Sequence, residues 1–437
     1  MMSPLPMTLS FRRSQTPVRS SSFNSLASVA GGGTTSNSSS SILLEFGSSY
    51  IRVGYNTFHC PRSILKSSLP FPSHATSKIV SEEEWENVLY PLLSDIYTGA
   101  LFVKNPKSRR VIVLEPYVAP TAFRVAVCRV LLARLGAANV LFVPGGGLSA
   151  VPYGLGSGGK EGDANVGGNK IVVDVGTWEC RVVGCAGTNC LMDTVQVVPC
   201  GFDSLVQYIM IEHNESQNNK NEEESTNKIP TFEDAKYVVT KCLHHLMPLS
   251  SSIFKDNQEE EITIPLQSTT TTSPTVQITI SLQLIKQCIH DLYFDIQNPD
   301  SLVYAFCSAL LSCPIDLRKR MAQNVVMVGG GVCAIPGLEK TFGKALTRLF
   351  KRKETMDSKF APLTTVILKG EGEQMGRGLG IIYPLPFAPH LLSFVGGCIM
   401  STLDLTEERW ISKRSFEEQD GKSQNSDTKS VIYDFLQ

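Results

Sequence analysis

The chain has no uncharged apolar run of about 18 residues, the length a helix needs to cross a bilayer. Its most apolar window, Leu391 to Met400, is broken in the middle by Gly396-Gly397. Membrane insertion is therefore not expected. Charge of one sign is missing as well: 40 Lys and Arg face 41 Asp and Glu, a formal net charge of -1. Nothing in that balance attracts nucleic acid or an anionic membrane as main partner, so no direct nucleic-acid contact is expected. Tightly spaced cysteine pairs are also absent. The 12 cysteines are spread through apolar segments such as Val127-Cys128-Arg129-Val130 and Ala305-Phe306-Cys307-Ser308. They read as small buried hydrophobes of a reducing compartment, not as a disulfide framework. The one cluster, Cys180, Cys185, Cys190 and Cys200, lacks the close pairs on turns that a zinc site uses, and reads as strand cysteines.

Acidic residues are missing before Glu45, where Ser, Thr, Pro and Gly dominate and Arg12, Arg13 and Arg19 supply the charge. Two readings stand for this stretch: a disordered tail too poor in apolar residues to fold, and an organelle transit segment. Residues 1-41 are set apart as a disordered Ser-rich tail. What remains of the 437 residues, with 42% hydrophobic and 19% charged residues overall, is enough for two domain-sized lobes.

An internal repeat carries the architecture. Ile42-Leu43-Leu44-Glu45-Phe46-Gly47-Ser48-Ser49-Tyr50-Ile51-Arg52-Val53 reads as strand, acid-x-Gly turn and second strand. Ile171-Val172-Val173-Asp174-Val175-Gly176-Thr177-Trp178-Glu179-Cys180-Arg181-Val182 repeats it in register. Two such units predict a duplicated α/β lobe with a cleft between the copies. Arg109 to Glu115 and Val140 to Val143 read as strands, and Pro120 to Leu135 as a helix with Phe123, Val127, Val130 and Leu131 on one side. Leu302 to Leu311 reads as an apolar helix, and Asn324 to Val328 as a buried strand running into Gly329-Gly330-Gly331. His213 to Lys228 and Asp256 to Pro274 read as mobile inserts, and Gly154 to Gly168 as a loop.

Acid-x-Gly-Ser/Thr turns suit phosphate for a physical reason. Glycine lets the backbone approach, successive N–H groups make an anion-binding nest, and the acid holds water around a divalent cation. Two of them in register, followed by a strand ending in a Gly pair, point to a nucleotide cleft; the bland reading is a pair of tight hairpins without ligand. Gly154-Leu155-Gly156-Ser157-Gly158-Gly159-Lys160 approaches a P-loop, but Glu161 stands where the magnesium-binding hydroxyl belongs, so it reads as a flexible loop.

These motifs resemble the actin family. That family's first phosphate turn, Asp-x-Gly-Ser-Gly, and the strand after it are matched by Glu45-Phe46-Gly47-Ser48-Ser49 and Arg52-Val53-Gly54-Tyr55. Its second turn is matched by Asp174-Val175-Gly176-Thr177-Trp178, and its adenosine motif by Asn324 to Gly330, with the path to Pro336-Gly337 one residue longer. Its C-terminal signature is similar to Ser393-Phe394-Val395-Gly396-Gly397 and Trp410-Ile411-Ser412-Lys413, which a sugar kinase or chaperone ATPase of the same superfamily does not explain.

The resemblance implies an actin-like fold (duplicated ribonuclease H-like, two-lobed, with a central nucleotide cleft). Residues 42-173 would form a first lobe with a reduced outer part, and 174-386 a second lobe with mobile inserts. Residues 387-418 would return to the first lobe, leaving 419-437 as a polar tail. It implies ATP or ADP with Mg2+ as ligand, held by Gly47, Ser48, Ser49, Arg52, Asp174, Gly176, Thr177, Lys236, Gly329 and Gly330, with Asp174 reaching the metal through water. No catalytic residue is expected. By the same resemblance the glutamine that positions the attacking water falls at Gly147, which has no side chain to aim it. Thr177 replaces a second acid, bulky Trp178 stands where close backbone approach is wanted, Arg52 replaces lysine, and Tyr237 follows Lys236 in place of an acid.

Asn105 to Glu115 with Phe123-Arg124, and Cys313-Pro314-Ile315-Asp316-Leu317-Arg318-Lys319, resemble the family branch at the pointed end of dynactin. That branch implies actin-like filament subunits and other dynactin pointed-end proteins as partners, a cytoplasmic, cytoskeletal location and support for dynein-driven transport along microtubules. Ser63 to Ser108, much shorter than the stretch that builds actin's small outer domain and with one plausible helix around Glu82 to Tyr97, points to a filament cap. The alternatives are a nuclear actin-related subunit of a chromatin-remodelling complex and a polymerising, ATP-hydrolysing actin.

Overall fold

The computed structural model describes residues 40–67, 69, 80–116, 119–153, 168–187, 189–218, 227–246, 260–266, 277–352, 358–368, 378–382, 385, 387–402 and 407–418. The Ser-rich tail up to residue 39, the Gly154 to Lys160 loop and the tail from residue 419 lie outside the described residues.

The first half of the repeat folds as β1 (Ile42–Phe46) and β2 (Tyr50–Tyr55), an antiparallel hairpin that places Glu45 opposite Arg52. β3 (Ser63–Lys66) pairs with β2. Next comes α1 (Glu82–Asp95), started by a capping box in which Ser81 and Glu84 satisfy each other's backbone N–H. Trp85, Leu89 and Leu93 recur at intervals of four and are fully buried, which on general scales stabilises by about 1.5–3 kcal/mol each. The helix passes into a π-turn, Ile96–Ala100. β4 (Arg110–Glu115), α2 (Thr121–Cys128, continued as a π-turn through Arg134) and β5 (Asn139–Pro144) complete the unit, with β4 parallel to both β1 and β5. Phe123 of α2 meets Phe46 and Trp85 edge-on at 5.3 and 5.0 Å, joining α1, α2 and the sheet in one core.

After the short α3 (Gly145–Leu148) the pattern starts again. β6 (Asn169–Val175) and β7 (Cys180–Ala186) form an antiparallel hairpin that places Asp174 opposite Arg181, and β8 (Asn189–Val198) follows. The helices α4 (Phe202–Asn218) and α5 (Phe232–His245), the hairpin β9 (Glu261–Pro265) and β10 (Gln277–Ser281), and the helices α6 (Leu282–Ile289), α7 (Leu302–Ser312) and α8 (Ile315–Ala322) lead to β11 (Val325–Val328). β11 runs parallel to β6 as β4 does to β1. α9 (Gly330–Ala334) and α10 (Leu338–Lys351) close the second unit, and Phe306 meets Phe342 edge-on in its core. The chain then crosses back. α11 (Leu392–Met400) packs on α3, β1 and β4, and β12 (Ile411–Ser412) adds to β5. The sheets run β12-β5-β4-β1-β2-β3 and β11-β6-β7-β8.

Three expectations need correcting. The lobe boundary at 173/174 falls inside β6, because the apolar run Ile171-Val172-Val173 belongs to the second sheet from Asn169 on. His213 to Lys228 is not a mobile insert throughout: α4 continues to Asn218, with His213 buried and donating from Nε2 to the Asn227 carbonyl at 2.8 Å. Asn214 exchanges two hydrogen bonds with the Ile229 backbone, so polar residues that read as loop act as straps. Within Asp256 to Pro274, Glu261–Pro265 is a strand of a two-stranded sheet. Its Ile264 is buried.

Candidate functional site

The two hairpin turns close in the same way. Gly47 N–H donates to the Tyr50 carbonyl at 3.1 Å, and Gly176 N–H to the Glu179 carbonyl at 3.0 Å. A Cβ on either glycine would stand 2.8 Å from the Tyr50 oxygen or 2.7 Å from that of Glu179. These are sub-van-der-Waals distances, so both turns require glycine. Closing on the glycine leaves the tip residues Ser48, Ser49, Thr177 and Trp178 outside the ladders.

Both tips open onto one cavity of about 560 Å³, within the range of small-molecule sites. All ten residues expected to bind nucleotide line it: Gly47, Ser48, Ser49, Arg52, Asp174, Gly176, Thr177, Lys236, Gly329 and Gly330. Gly147 does not. It is buried in α3, and Gly145, Gly146 and Ser149 form that wall. The bulk of Trp178 is accommodated by stacking on Phe232, rings 5.8 Å apart and 16° from parallel.

Most of the cavity's charges come as ion pairs; Lys66 and Glu233 also line it and enter none among the described residues. Arg52 holds Glu45 at 2.9 Å, both nearly buried. Arg181 bonds Glu179 through Nε at 2.8 Å and approaches Asp174 at 3.9 Å. Lys236 holds Asp203 at 2.7 Å, its ammonium 5.9 and 5.8 Å from the Phe202 and Phe232 ring centres. Glu115 takes a two-pronged grip from Arg124, at 2.8 and 2.7 Å. Burial pushes Glu45 up to about 7 from 4.5, against the pull of Arg52 and with help from Asp174. Burial also raises Asp174, opposed by Arg181 and Arg52, and Asp203, opposed by Lys236.

Arg181, Asp203, Glu115 and Ser149 were missed by sequence reasoning. For Arg181 the signal existed, since it repeats Arg52 at the same interval after the acid. Asp203 stands outside any motif, and Glu115 belongs to a stretch that was singled out for a different reason; they reach the cavity because α4 begins and β4 ends there. Lys236→Met, which leaves the Asp203 carboxylate buried without its cation, is expected to cost about 1–2 kcal/mol in urea unfolding. Adding Asp203→Asn should recover most of that loss.

A nucleotide with its metal fits these residues. Glu45 Oε2, Arg52 Nε and Ser393 Oγ are buried on the cavity wall without a hydrogen-bond partner among the described residues, an arrangement that calls for a polar occupant. Ser48, Ser49 and Thr177 would hold phosphate oxygens. Asp174 would hold water on the metal, and Gly329, Gly330 and Lys236 would line the nucleoside side. The bound metal would supply charge neutralisation beyond that of Lys66 and the paired cations.

A family model described as Actin matches residues 75–425, well over half of the chain. The match begins after β3, so the first turn with Glu45 and Arg52 lies outside it, while the second turn and the β11 glycines lie within.

Proposed function

The chain belongs to the actin family, with its two-lobed α/β fold, and on that premise we propose that it is a structural subunit capping the pointed end of a short actin-like filament. The finer reading is the branch of actin-related protein ten in dynactin, where it would support dynein-driven transport. The cleft would hold ATP or ADP with Mg2+ as a structural ligand and turn it over poorly, since neither Gly145, Gly146 nor Gly147 carries a side chain to orient water.

The observation that carries the capping reading is the fate of the stretch between β3 and β4. Its described residues contain one helix, α1 with its π-turn, and a single turn of 3-10 helix. Among the described residues, the buried face of α1 is taken up by α2 and the first sheet, not by an outer sheet of its own. A neighbour that grips such an outer domain would find little to hold. The Asn105 to Glu115 and Cys313 to Lys319 stretches support the dynactin branch by resemblance.

Two measurements test this. With filament-forming actin-like partners, the chain is expected to arrest growth at pointed ends when present at the concentration of ends; unhindered growth rejects the cap. Mg-ATP and Mg-ADP at 100 times Kd are each expected to stabilise the chain by about 2.7 kcal/mol. Phosphate release should stay far below the rates of a dedicated ATPase. Turnover at rates typical of a dedicated ATPase would return the chain to the polymerising alternative.

A further inference from the structure

A second surface lies away from the cleft, where the segment after β2 meets the segment after α1. Phe102 has φ 53°, a left-handed conformation that costs a side-chain-bearing residue and that glycine adopts freely. The position is where a helix end usually places glycine: Leu101 N–H returns to Ile96 C=O and Val103 N–H to Tyr97 C=O, both at 2.8 Å. Yet the residue there is phenylalanine, and it is 64% exposed. The strain therefore brings no burial in return. The left-handed backbone closes the helix end, a task that needs no ring, and such outliers cluster where a side chain is put to use.

The surroundings share one character. Phe58 is 59% exposed, and Arg62 lies over the Phe102 ring at 5.4 Å. Tyr55 donates to the Leu101 carbonyl at 2.9 Å and carries Arg109 over its ring at 5.7 Å, fastening the two segments side by side. Lys104 and Lys107 are exposed on the second segment. No Asp or Glu occurs from Gly47 to Ser81 or from Ile96 to Leu114. Among the described residues, Arg62, Lys104, Lys107 and Arg109 enter no ion pair, whereas Arg52, Arg110, Arg124, Arg129 and Arg134 of the same sheet unit each hold a glutamate.

We propose that Phe58, Arg62, Phe102, Lys104 and Lys107 form a docking surface for an acidic segment of a partner protein, one that places an apolar anchor against the two phenylalanines. Charge complementarity selects the occupant: three cations in no ion pair among the described residues, Arg62, Lys104 and Lys107, on a surface with two exposed rings match carboxylates flanking an aromatic or aliphatic side chain. The surface is independent of the nucleotide reading and of where the chain sits in a filament.

Phe102→Gly separates use from structure, because it removes the ring and also relieves the backbone. The probe is a labelled twelve-residue peptide (about three helical turns or an extended strand) of alternating Glu with Phe and Leu, and a counterpart with Lys in place of every Glu. Binding to the full chain is followed by fluorescence anisotropy across a salt series. The expected result is saturable binding of the acidic peptide, weakened by salt and reduced about tenfold or more by Phe102→Gly and by Arg62→Glu, with the thermal midpoint of Phe102→Gly unchanged or raised. Three results would overturn the proposal: no binding of the acidic peptide to the wild-type chain, equal binding of the Lys peptide, or binding untouched by either substitution. Concentration-dependent dimerisation abolished by Phe102→Gly would also overturn it, by giving the face to a second copy.

Discussion

Replacing Gly329 by alanine is expected to cost at least about 3 kcal/mol of stability and to abolish the stabilisation by Mg-ATP. Gly329 links β11 to α9 with φ 100°, where any side chain is strained. A Cβ there would lie 2.3 Å from the Val175 carbonyl oxygen and 2.5 Å from Asp174 Oδ1. Neither neighbour can retreat cheaply. Val175 ends β6, and β11 is registered on β6 with Val328 opposite Asp174, so parting them breaks a ladder buried on both faces. Moving the carboxylate displaces the acid expected to hold water on the metal. Gly330→Ala is the control: nothing stands within 4 Å of its added Cβ, and its cost should stay within about 1 kcal/mol. Urea unfolding of both variants, with and without Mg-ATP, checks the pair. Equal, small losses in the two would mean that the glycine turn does not approach β6 as closely as the structure places it.

How much of this was legible beforehand differs from residue to residue, for physical reasons. The two turns were legible because a hairpin has period two and a fixed register: an acid and an arginine seven positions apart around a tight turn must stand opposite each other, as Glu45 and Arg52, and Asp174 and Arg181, do. The β11 glycines were legible because a buried apolar strand running into glycines has few other uses. Pairs that join distant segments were not. Asp203 with Lys236 and Glu115 with Arg124 bring together residues whose separations obey no local period, so only the packing of α4 on α5 and of α2 on β4 reveals them. The lobe boundary was misplaced because an apolar strand reads alike whichever sheet it joins. Composition misled at Asn214 and Asn227, where amides that suggest a loop hold backbone to backbone. Phe102 was invisible in a different way: nothing in its neighbours announces a left-handed residue, since the usual glycine is missing.

Glu45→Gln is expected to leave stability near pH 4 unchanged and to raise it above pH 7 by about 2–3 kcal/mol. The argument starts from burial. Glu45 is 13% exposed, its Oε1 bonded to Arg52 and its Oε2 unpartnered, with Asp174 near enough to disfavour a second negative charge. Desolvation outweighs the arginine, and the carboxyl rises from 4.5 to about 7 in the folded chain. Between those two values the folded state binds a proton that the unfolded state has released. Stability from this group is therefore complete below about pH 4.5, falls as pH rises, and is lost above pH 7. Glutamine keeps the shape and the acceptor for Arg52 but has no proton to lose, so the variant should escape that fall. Asp174 and Asp203 are raised in the same direction, so some downward slope should remain in the variant. Chemical denaturation at pH 5, 6, 7 and 8 reads the difference directly: the two curves should separate steadily up to pH 7 and then run parallel. The same substitution removes a carboxylate from the cavity wall, so Mg-ATP should bind the variant more tightly at pH 8 and with little change at pH 5. Parallel curves across the whole range would mean that Glu45 ionises in the folded chain as it does in water, with Arg52 fully compensating its burial. The cleft would then carry one more fixed negative charge at neutral pH than the structure allows.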